Sequence, residues 1–393
     1  MADAKIDAAL ELLYSGDVDG CEAALKEIGS GKLEAPGGLD PLDEAAFNEG
    51  VGGISLARED GAAAVAAFQK MIDLESSVDI DVLAHGTSYA KLSEAHLMAG
   101  DFEPGQTAFV KALELKKDGP AASLLNIAFT FGETLFHGGK FKDAAETFEK
   151  ALKYAAEAGV DAPTLAVLQL YNADSWKNHI APLEGSVRLQ ESTQGGSPQI
   201  QAFKRQLEGQ FKLALELYKT AKVSAETANM PADFKLQIQR SLAELYHNAA
   251  KYVKGVMHRK KVIKMATEHG VEPLELAYMH HGLGESQKEM RQIPDAVESF
   301  KKAISYKEKA KADNVSQGKS WFSAGECYAG MDKLDAAQTA FEKARDLEAD
   351  SNADDENHLT RLRKYWYMLG RTLQAAGKEE EGQEAIKTAE EMK

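Results

Sequence analysis

The sequence predicts an all-α protein built from a repeated pair of helices. Three observations support this prediction. Alanine, leucine, lysine and glutamate are abundant and only 10 of the 393 residues are proline, a composition that favours helix throughout. Apolar residues recur at intervals of three and four, the spacing of a helix with one buried face. A short pattern of small and aromatic residues returns about every 41 residues, which is typical of repeat architectures.

The helical period is clearest in the segment 138–155, GGKFKDAAETFEKALKYA. Its apolar residues include Phe141, Ala144, Phe148 and Ala151, which lie on one face of a helix. The two glycines that begin the segment favour a turn before this helix. The core of the segment is a small residue, an aromatic residue four positions later and an alanine three positions after that.

Copies of this core occur along most of the chain. Successive aromatic residues are 41, 39, 70, 82 and 41 positions apart, and 82 is twice 41. These residues are Phe68 (with methionine in place of the alanine), Phe109, Phe148, Tyr218, Phe300 and Phe341. A constant period over this length predicts stacked units, because one such unit cannot bury its apolar face alone.

A second signature precedes the aromatic residues. A glycine lies 16 positions before the aromatic residue or its aliphatic substitute in several copies, and tryptophan precedes two of these glycines by four positions. The glycines are Gly52, Gly132, Gly284, Gly325 and Gly370. Small residues at this place would let the two helices of a unit approach closely.

The pattern W-x2-L-G-x2-Y followed by A-x3-F is typical of tetratricopeptide repeats. WFSAGECY at 321–328 and WYMLGRTL at 366–373 carry its first half. The chain therefore resembles the tetratricopeptide repeat (TPR) family over nearly its whole length. Its repeats are longer than the common form of about 34 residues, and are similar to those of kinesin light chains and Rap-type bacterial response regulators. The resemblance implies a right-handed α-solenoid of about nine helix-turn-helix repeats.

The register divides the chain into three parts. Repeats are expected over 1–177 and, with a polar capping helix at the end, over 208–393. The interval of 70 residues between Phe148 and Tyr218 places an insertion at 178–207, between the two helices of the fifth repeat. Because this insertion is rich in Gly, Ser, Gln and Pro, we expect its first two-thirds to form a loop. It is either a tolerated surface loop or a segment that contacts a partner or interrupts the array of repeats.

The sequence contains no pattern typical of a catalytic, metal or cofactor site. Cys21 and Cys327 lack ligand spacing, and the adjacent His280 and His281 would point in different directions on a helix. The acidic run 346–358 departs from a calcium-binding loop at the positions that require glycine and glutamate. We therefore expect that the chain is not an enzyme and that it binds neither a metal nor a cofactor.

Charge and hydropathy restrict the partners. The formal net charge is −16 at pH 7, which argues against general nucleic-acid binding and favours a basic partner. The N-terminus lacks the features of a secretory signal, and no stretch approaches the roughly 18 apolar residues of a membrane span. We expect a cytoplasmic protein without membrane insertion.

A column of glutamates is the main candidate binding site. Glutamate follows the glycine position in five repeats, at Glu94, Glu133, Glu244, Glu285 and Glu326. In the TPR family this place resembles one that lines the concave groove, so the resemblance implies an acidic groove that binds a segment with Lys or Arg. Arg240 and His281 precede two of the glutamates by four positions and would neutralise them. Phe129 and Phe322 would form aromatic walls beside the others.

A cluster of basic residues lies in the degenerate repeat at 236–268. It consists of Lys251, Lys254, Arg259, Lys260, Lys261 and Lys264. Two interpretations are open, namely a docking patch for an acidic partner and a solvated helix face.

The sequence therefore predicts a non-enzymatic scaffold or adaptor that binds another protein or peptide. Two alternatives come from the resemblance. One is a peptide-sensing regulator of the Rap type, and the other is an adaptor subunit associated with the cytoskeleton, a motor or a cilium.

Overall fold

The computed structural model describes residues 2–194, 197–351 and 357–392, and in these ranges the chain forms eighteen α-helices and no strand. The helices are α1 Ala2–Tyr14, α2 Val18–Ile28, α3 Pro41–Ala57, α4 Gly61–Glu75, α5 Val82–Met98, α6 Phe102–Leu115, α7 Ala121–His137, α8 Phe141–Ala158, α9 Ala162–Gln194, α10 Pro198–Thr227, α11 Ala232–Asn248, α12 Tyr252–Glu268, α13 Pro273–Glu289, α14 Ile293–Lys309, α15 Asn314–Gly330, α16 Leu334–Ala349, α17 His358–Ala375 and α18 Glu379–Glu391. The predicted all-α repeat fold is confirmed.

Consecutive helices pack as pairs, from α1 with α2 to α17 with α18. Adjacent pairs also contact each other. For example, α4 contacts α5, α14 contacts α15 and α16 contacts α17. The described residues therefore contain nine helix pairs, in agreement with the number of repeats that the sequence predicts.

In four of these pairs, a glycine of the first helix packs against an aromatic ring of the second helix, 16 positions later in the sequence. A Cβ atom built on each of four glycines would lie only 2.5–2.8 Å from a ring carbon. The pairs are Gly52 with Phe68, Gly132 with Phe148, Gly284 with Phe300, and Gly325 with Phe341. The four rings are at most 1 % exposed, so they have no space into which they could move. Glycine is required here for close approach of two helices.

The chain divides into two compact units. The first consists of Met1–His179 and Lys212–Ala228, and the second of Ile180–Phe211 and Asn229–Lys393. Helices α9 and α10 each contribute to both units. The division at 1–177, 178–207 and 208–393 into repeats, insertion and repeats stays a prediction.

The expected loop at the start of 178–207 is wrong. Helix α9 continues to Gln194 with Pro182 inside it, and α10 begins at Pro198; residues 195 and 196 lie outside the described ranges. Both helices are stabilised here by a small apolar cluster of Leu183, Val187, Ile200, Phe203 and Leu207. These residues recur at three and four positions within each helix, so burial of one face outweighs a composition that favours loops.

Buried or half-buried charged side chains join the second helix of several pairs to the next pair. They occupy the position seven residues after the aromatic residue, at Glu75, Lys116, Lys307 and Glu348. The Lys307 ammonium is representative, because it donates to the Ser316 carbonyl at 2.6 Å and the Ser320 hydroxyl at 2.9 Å.

Glu348 makes the most extensive of these contacts. Its carboxylate is 0 % exposed and accepts from Arg361, at 2.8 Å from Nη2 and 3.0 Å from Nε. The Nδ1 atom of His358 lies 2.9 Å from the same carboxylate. An anion at the end of α16 is unfavourable to the helix dipole, so its burial depends on these cationic and polar partners.

We expect that Arg361→Ala lowers the free energy of unfolding by about 3–5 kcal/mol, because it leaves the Glu348 carboxylate buried without its strongest donor. The double variant Glu348→Ala with Arg361→Ala should recover much of this loss. Alanine is already buried at the same position in three other pairs, at Ala155, Ala225 and Ala266. Urea unfolding of the three proteins measures the difference. Equal losses in the single and double variants would contradict this account of Glu348.

Candidate functional site

The five predicted glutamates lie on α5, α7, α11, α13 and α15, and all five are half-buried. Each follows the residue that occupies the glycine position. Asp174 on α9 belongs to the same series, since it lies 41 residues after Glu133. Its carboxylate accepts from the Tyr218 hydroxyl at 2.5 Å and pairs with Lys177 at 3.1 Å. Sequence reasoning missed Asp174, although the period of 41 residues would have located it.

In the second unit Lys288 joins two members of the column. Its ammonium lies 3.0 Å from Glu285 and 2.9 Å from Glu326. Burial opposes ionisation of Glu285, but Lys288, the Ser323 hydroxyl and His281 together lower the pKa of its carboxyl. Burial likewise opposes the charge on Lys288, and the two carboxylates overcome this effect and raise its pKa. Both glutamates therefore have a cationic partner within the unit, with one ammonium shared by two carboxylates.

Arg259 also belongs to this column and not to an exposed basic patch. It occupies the aromatic position of its helix pair, so its half-buried side chain points inward and lies against the Gly282 backbone. Burial lowers the pKa of Arg259, while its interactions with Glu244 and Glu285 raise it. The guanidinium thus interacts with two neighbouring members of the column. We exclude Arg259 from any docking patch for this physical reason.

In the first unit Glu133 accepts a hydrogen bond from the Tyr171 hydroxyl. Burial and this contact raise the pKa of Tyr171 to about 12. Glu94 differs from Glu133, because its carboxylate makes no hydrogen bond or ion pair within the part of the chain that the structure describes. The neighbouring Lys91 instead pairs with Glu49. Burial raises the pKa of Glu94, an effect that Lys91 only partly opposes.

Glu94 lines a pocket of about 150 Å³ at helices α5 and α7. The aromatic rings of Phe109 and Phe131 contribute to its wall and are stacked, with their centroids 4.0 Å apart. Ile127 adds apolar surface, and the polar residues of the lining are Thr87, Lys91, Ser93, Asn126 and Thr130. The pocket therefore places one carboxylate beside an apolar surface.

The two predicted aromatic walls belong mainly to the core. Phe322 is 5 % exposed and stacks on Tyr365, with ring centroids 4.7 Å apart. Phe129 is half-buried and meets the Tyr171 ring edge-on at 5.7 Å. These contacts stabilise the packing between helix pairs, so we leave both residues out of the proposed binding surface.

The remaining residues of the basic cluster lie on α12, except Lys251, which immediately precedes this helix. The Lys251 ammonium is 2.9 Å from Glu208 and lies over the Phe211 ring, so it is occupied within the second unit. Lys254, Lys260, Lys261 and Lys264 are exposed.

Among the described residues, no group of three or more His, Cys, Asp or Glu side chains is placed to hold a metal ion. The acidic run 346–358 is included in that statement only in part, since residues 352–356 lie outside the described ranges. Cys21 and Cys327 are buried free thiols. In the described chain, no helix combines the length and apolar composition of a membrane span.

The segment 318–351 matches the family model of the tetratricopeptide repeat. It includes most of α15 and α16 and contains Trp321, Gly325 and Phe341. Residues 318–351 are a tetratricopeptide repeat. The comparison with curated proteins gave no match. The TPR-like fold of the chain is one that protein-interaction scaffolds use.

Several solved structures are similar to this chain. BtubC (BKLC) from P. vanneervenii is 19 % identical with a TM-score of 0.49, over 64 % of this chain and 89 % of that one. The apo form of RapI is 14 % identical with a TM-score of 0.49, over 88 % and 97 %. Aspartyl phosphate phosphatase F from Bacillus subtilis is 12 % identical with a TM-score of 0.48, over 100 % and 93 %. At these identities, and at TM-scores below 0.5, the similarity carries no activity, partner or structural argument over to this chain.

We expect that Lys288→Met lowers the free energy of unfolding by about 1–3 kcal/mol at neutral pH, because it leaves two half-buried carboxylates without their shared cation. Lys288 holds the pKa of Glu285 down, so its stabilisation is present above the ordinary glutamate pKa and is lost as the pH falls. The deficit of the variant should therefore shrink towards pH ~4. Urea unfolding at several pH values measures it.

The control is Lys301→Met, which removes a comparable ion pair with Glu298 at 3.0 Å whose side chains are 53 % and 67 % exposed. This change should cost less than about 1 kcal/mol. Equal losses in the two variants, or a Lys288→Met deficit that is independent of pH, would contradict the neutralised column.

Proposed function

We propose that the chain is a non-catalytic protein-interaction scaffold that holds a Lys or Arg side chain of a partner in the pocket at Glu94. One observation carries this proposal. Of the five predicted glutamates, Glu94 has neither a hydrogen bond nor an ion pair in the described chain, and its pKa is raised by burial. An anion in this condition gains from a cation that a partner brings.

The shape and composition of the pocket fit a long basic side chain. The aliphatic stem of Lys or Arg would pack against Ile127 and Phe131, while its charged end would reach the Glu94 carboxylate. Asn126 and Thr130 line the same pocket and would supply further polar contacts. A small acidic or purely apolar group would leave the carboxylate desolvated and unpaired, which is unfavourable.

The other members of the column take a supporting role in this proposal. Glu285 and Glu326 share Lys288, Glu244 interacts with Arg259, and Glu133 accepts from Tyr171. A partner would have to displace these contacts to use the same carboxylates. The proposed site is therefore narrower than the predicted column and is centred on Glu94.

Selection of short random peptides displayed on phage, against the whole immobilised chain, tests this function. We expect that enriched peptides share a Lys or Arg at one position. Fluorescence anisotropy with the synthetic peptides should then show a roughly tenfold weaker affinity for Glu94→Gln, equivalent to the loss of one charge contact. The affinity of the unaltered chain should also fall as acid protonates Glu94.

Glu157→Gln is the matched control, because Glu157 is an exposed glutamate of the same unit. It should leave the affinity unchanged. Enriched peptides without a basic residue, or equal binding to the chain and to Glu94→Gln, would overturn the proposal.

A further inference from the structure

The outer face of α12 combines exposed apolar residues with uniform positive charge. Val253 is 70 % exposed and Met257 is 60 % exposed, although both are large apolar side chains. Lys260 and Lys264 continue the same helical face at spacings of three and four, and Lys254 and Lys261 flank it. We call this surface the α12 face; its residues are Val253, Lys254, Met257, Lys260, Lys261 and Lys264.

The opposite side of α12 packs against the neighbouring helices. Gly255 lies close to the α11 backbone at Ala243 and His247. Val262 and Ala266 are buried in an apolar cluster that includes residues of α11 and α13. The α12 face therefore makes no contribution to the core.

An ordinary solvated helix face would carry both signs of charge, as the equivalent faces of α8 and α14 do. At the positions of Val253, Met257, Lys260 and Lys264, α8 has Lys142, Glu146, Glu149 and Lys153, and α14 has Pro294, Glu298, Lys301 and Ser305. Neutralising pairs form there, with Lys142 and Glu146 at 3.6 Å and Lys301 and Glu298 at 3.0 Å. The α12 face contains no acidic residue, and it differs from α8 and α14 in this respect and in its two exposed apolar side chains.

Two lysines of the α12 face lie near acidic groups. Lys264 pairs with Glu268 at 3.8 Å, and both side chains are more than half exposed. Lys260 borders a pocket that also contains Asp295 and Glu298. Lys254 and Lys261 have no ion pair within the described ranges.

We propose that the α12 face binds an acidic amphipathic helix of a partner protein. Two apolar side chains four residues apart on one helix match apolar side chains at the same spacing on another. The surrounding lysines match a helix whose flanks carry Glu or Asp. This surface lies in the second unit, and its partner has the opposite charge to the partner proposed for Glu94. It therefore extends the proposed function and does not depend on it.

A second copy of this chain is a poorer occupant. Its most acidic helix is α18, which begins with three glutamates, Glu379 to Glu381. No large apolar residue of α18 is exposed, so this helix could match the lysines but not Val253 and Met257.

The test uses a fluorescein-labelled peptide that forms an acidic helix, with leucines at helical spacing and glutamates on its flanks. Anisotropy with the whole chain should show saturable binding that weakens as salt rises. The variant Val253→Ser with Met257→Ser and the variant Lys254→Glu with Lys261→Glu should each weaken binding roughly tenfold or more. A peptide with the same composition in scrambled order should bind more weakly than the helical one.

The control Val223→Ser with Lys222→Glu alters a valine that is 62 % exposed and a half-buried lysine on α10, and it should not change the affinity. Circular dichroism of all variants checks that they remain folded. The proposal is overturned if the peptide does not bind, if the control weakens binding as much as the α12 variants, or if scrambling has no effect. It is also overturned if the chain self-associates through this face, which light scattering of the unaltered chain and the α12 variants would detect.

Discussion

The contact of a glycine with an aromatic ring 16 positions later is the constraint on which the structure depends. It brings the two helices of a pair to a separation that no side chain larger than hydrogen allows at Gly52, Gly132, Gly284 and Gly325. The close approach also buries the aromatic ring. This burial of apolar surface stabilises a helix pair that is too small to form a core of its own. Because the contact fixes the rotation of the first helix, the residue after the glycine takes the same place in each of these pairs. In three of them this residue is a glutamate, at Glu133, Glu285 and Glu326.

Such a column would repel itself, and the two units reduce this repulsion with different groups. In the second unit Arg259 and Lys288 lie among Glu244, Glu285 and Glu326. In the first unit hydroxyl groups of tyrosines donate to Glu133 and Asp174. Glu94 lacks either kind of partner in the described chain, which is why the proposed binding of a cation is centred on it. The α12 face has the opposite character, so the proposed scaffold offers one surface for a basic group and another for an acidic helix.

The repeat fold could be predicted because its defining contacts join residues close in sequence and of distinctive type. Other features could not be predicted, because they depend on contacts between residues far apart in the sequence or on burial. Glycine, serine and proline in 178–207 predicted a loop, whereas Val187, Ile200 and Leu207 bury enough apolar surface to keep 178–194 and 198–207 helical. Glu348 and Lys307 resemble solvated helix ends in the sequence, since their partners belong to the next pair. The contact of Lys288 with Glu326 spans 38 residues and depends on stacking. In the sequence Arg259 resembles the exposed lysines around it. Its inward direction follows only from its place in the helix pair, where other pairs have an aromatic residue.

Site-resolved titration of the glutamate carboxyl groups tests the central claim most directly. The chain would be labelled with ¹³C at the glutamate carboxyl carbons, and Glu94 and Glu285 would be assigned by single Gln substitutions. The ordinary pKa of glutamate is about 4.3. We expect that Glu94 titrates above this value, because it is buried without a partner, and that Glu285 titrates below it, because Lys288 pairs with it. A Glu94 value at or below the ordinary one, together with a raised value for Glu285, would contradict the account.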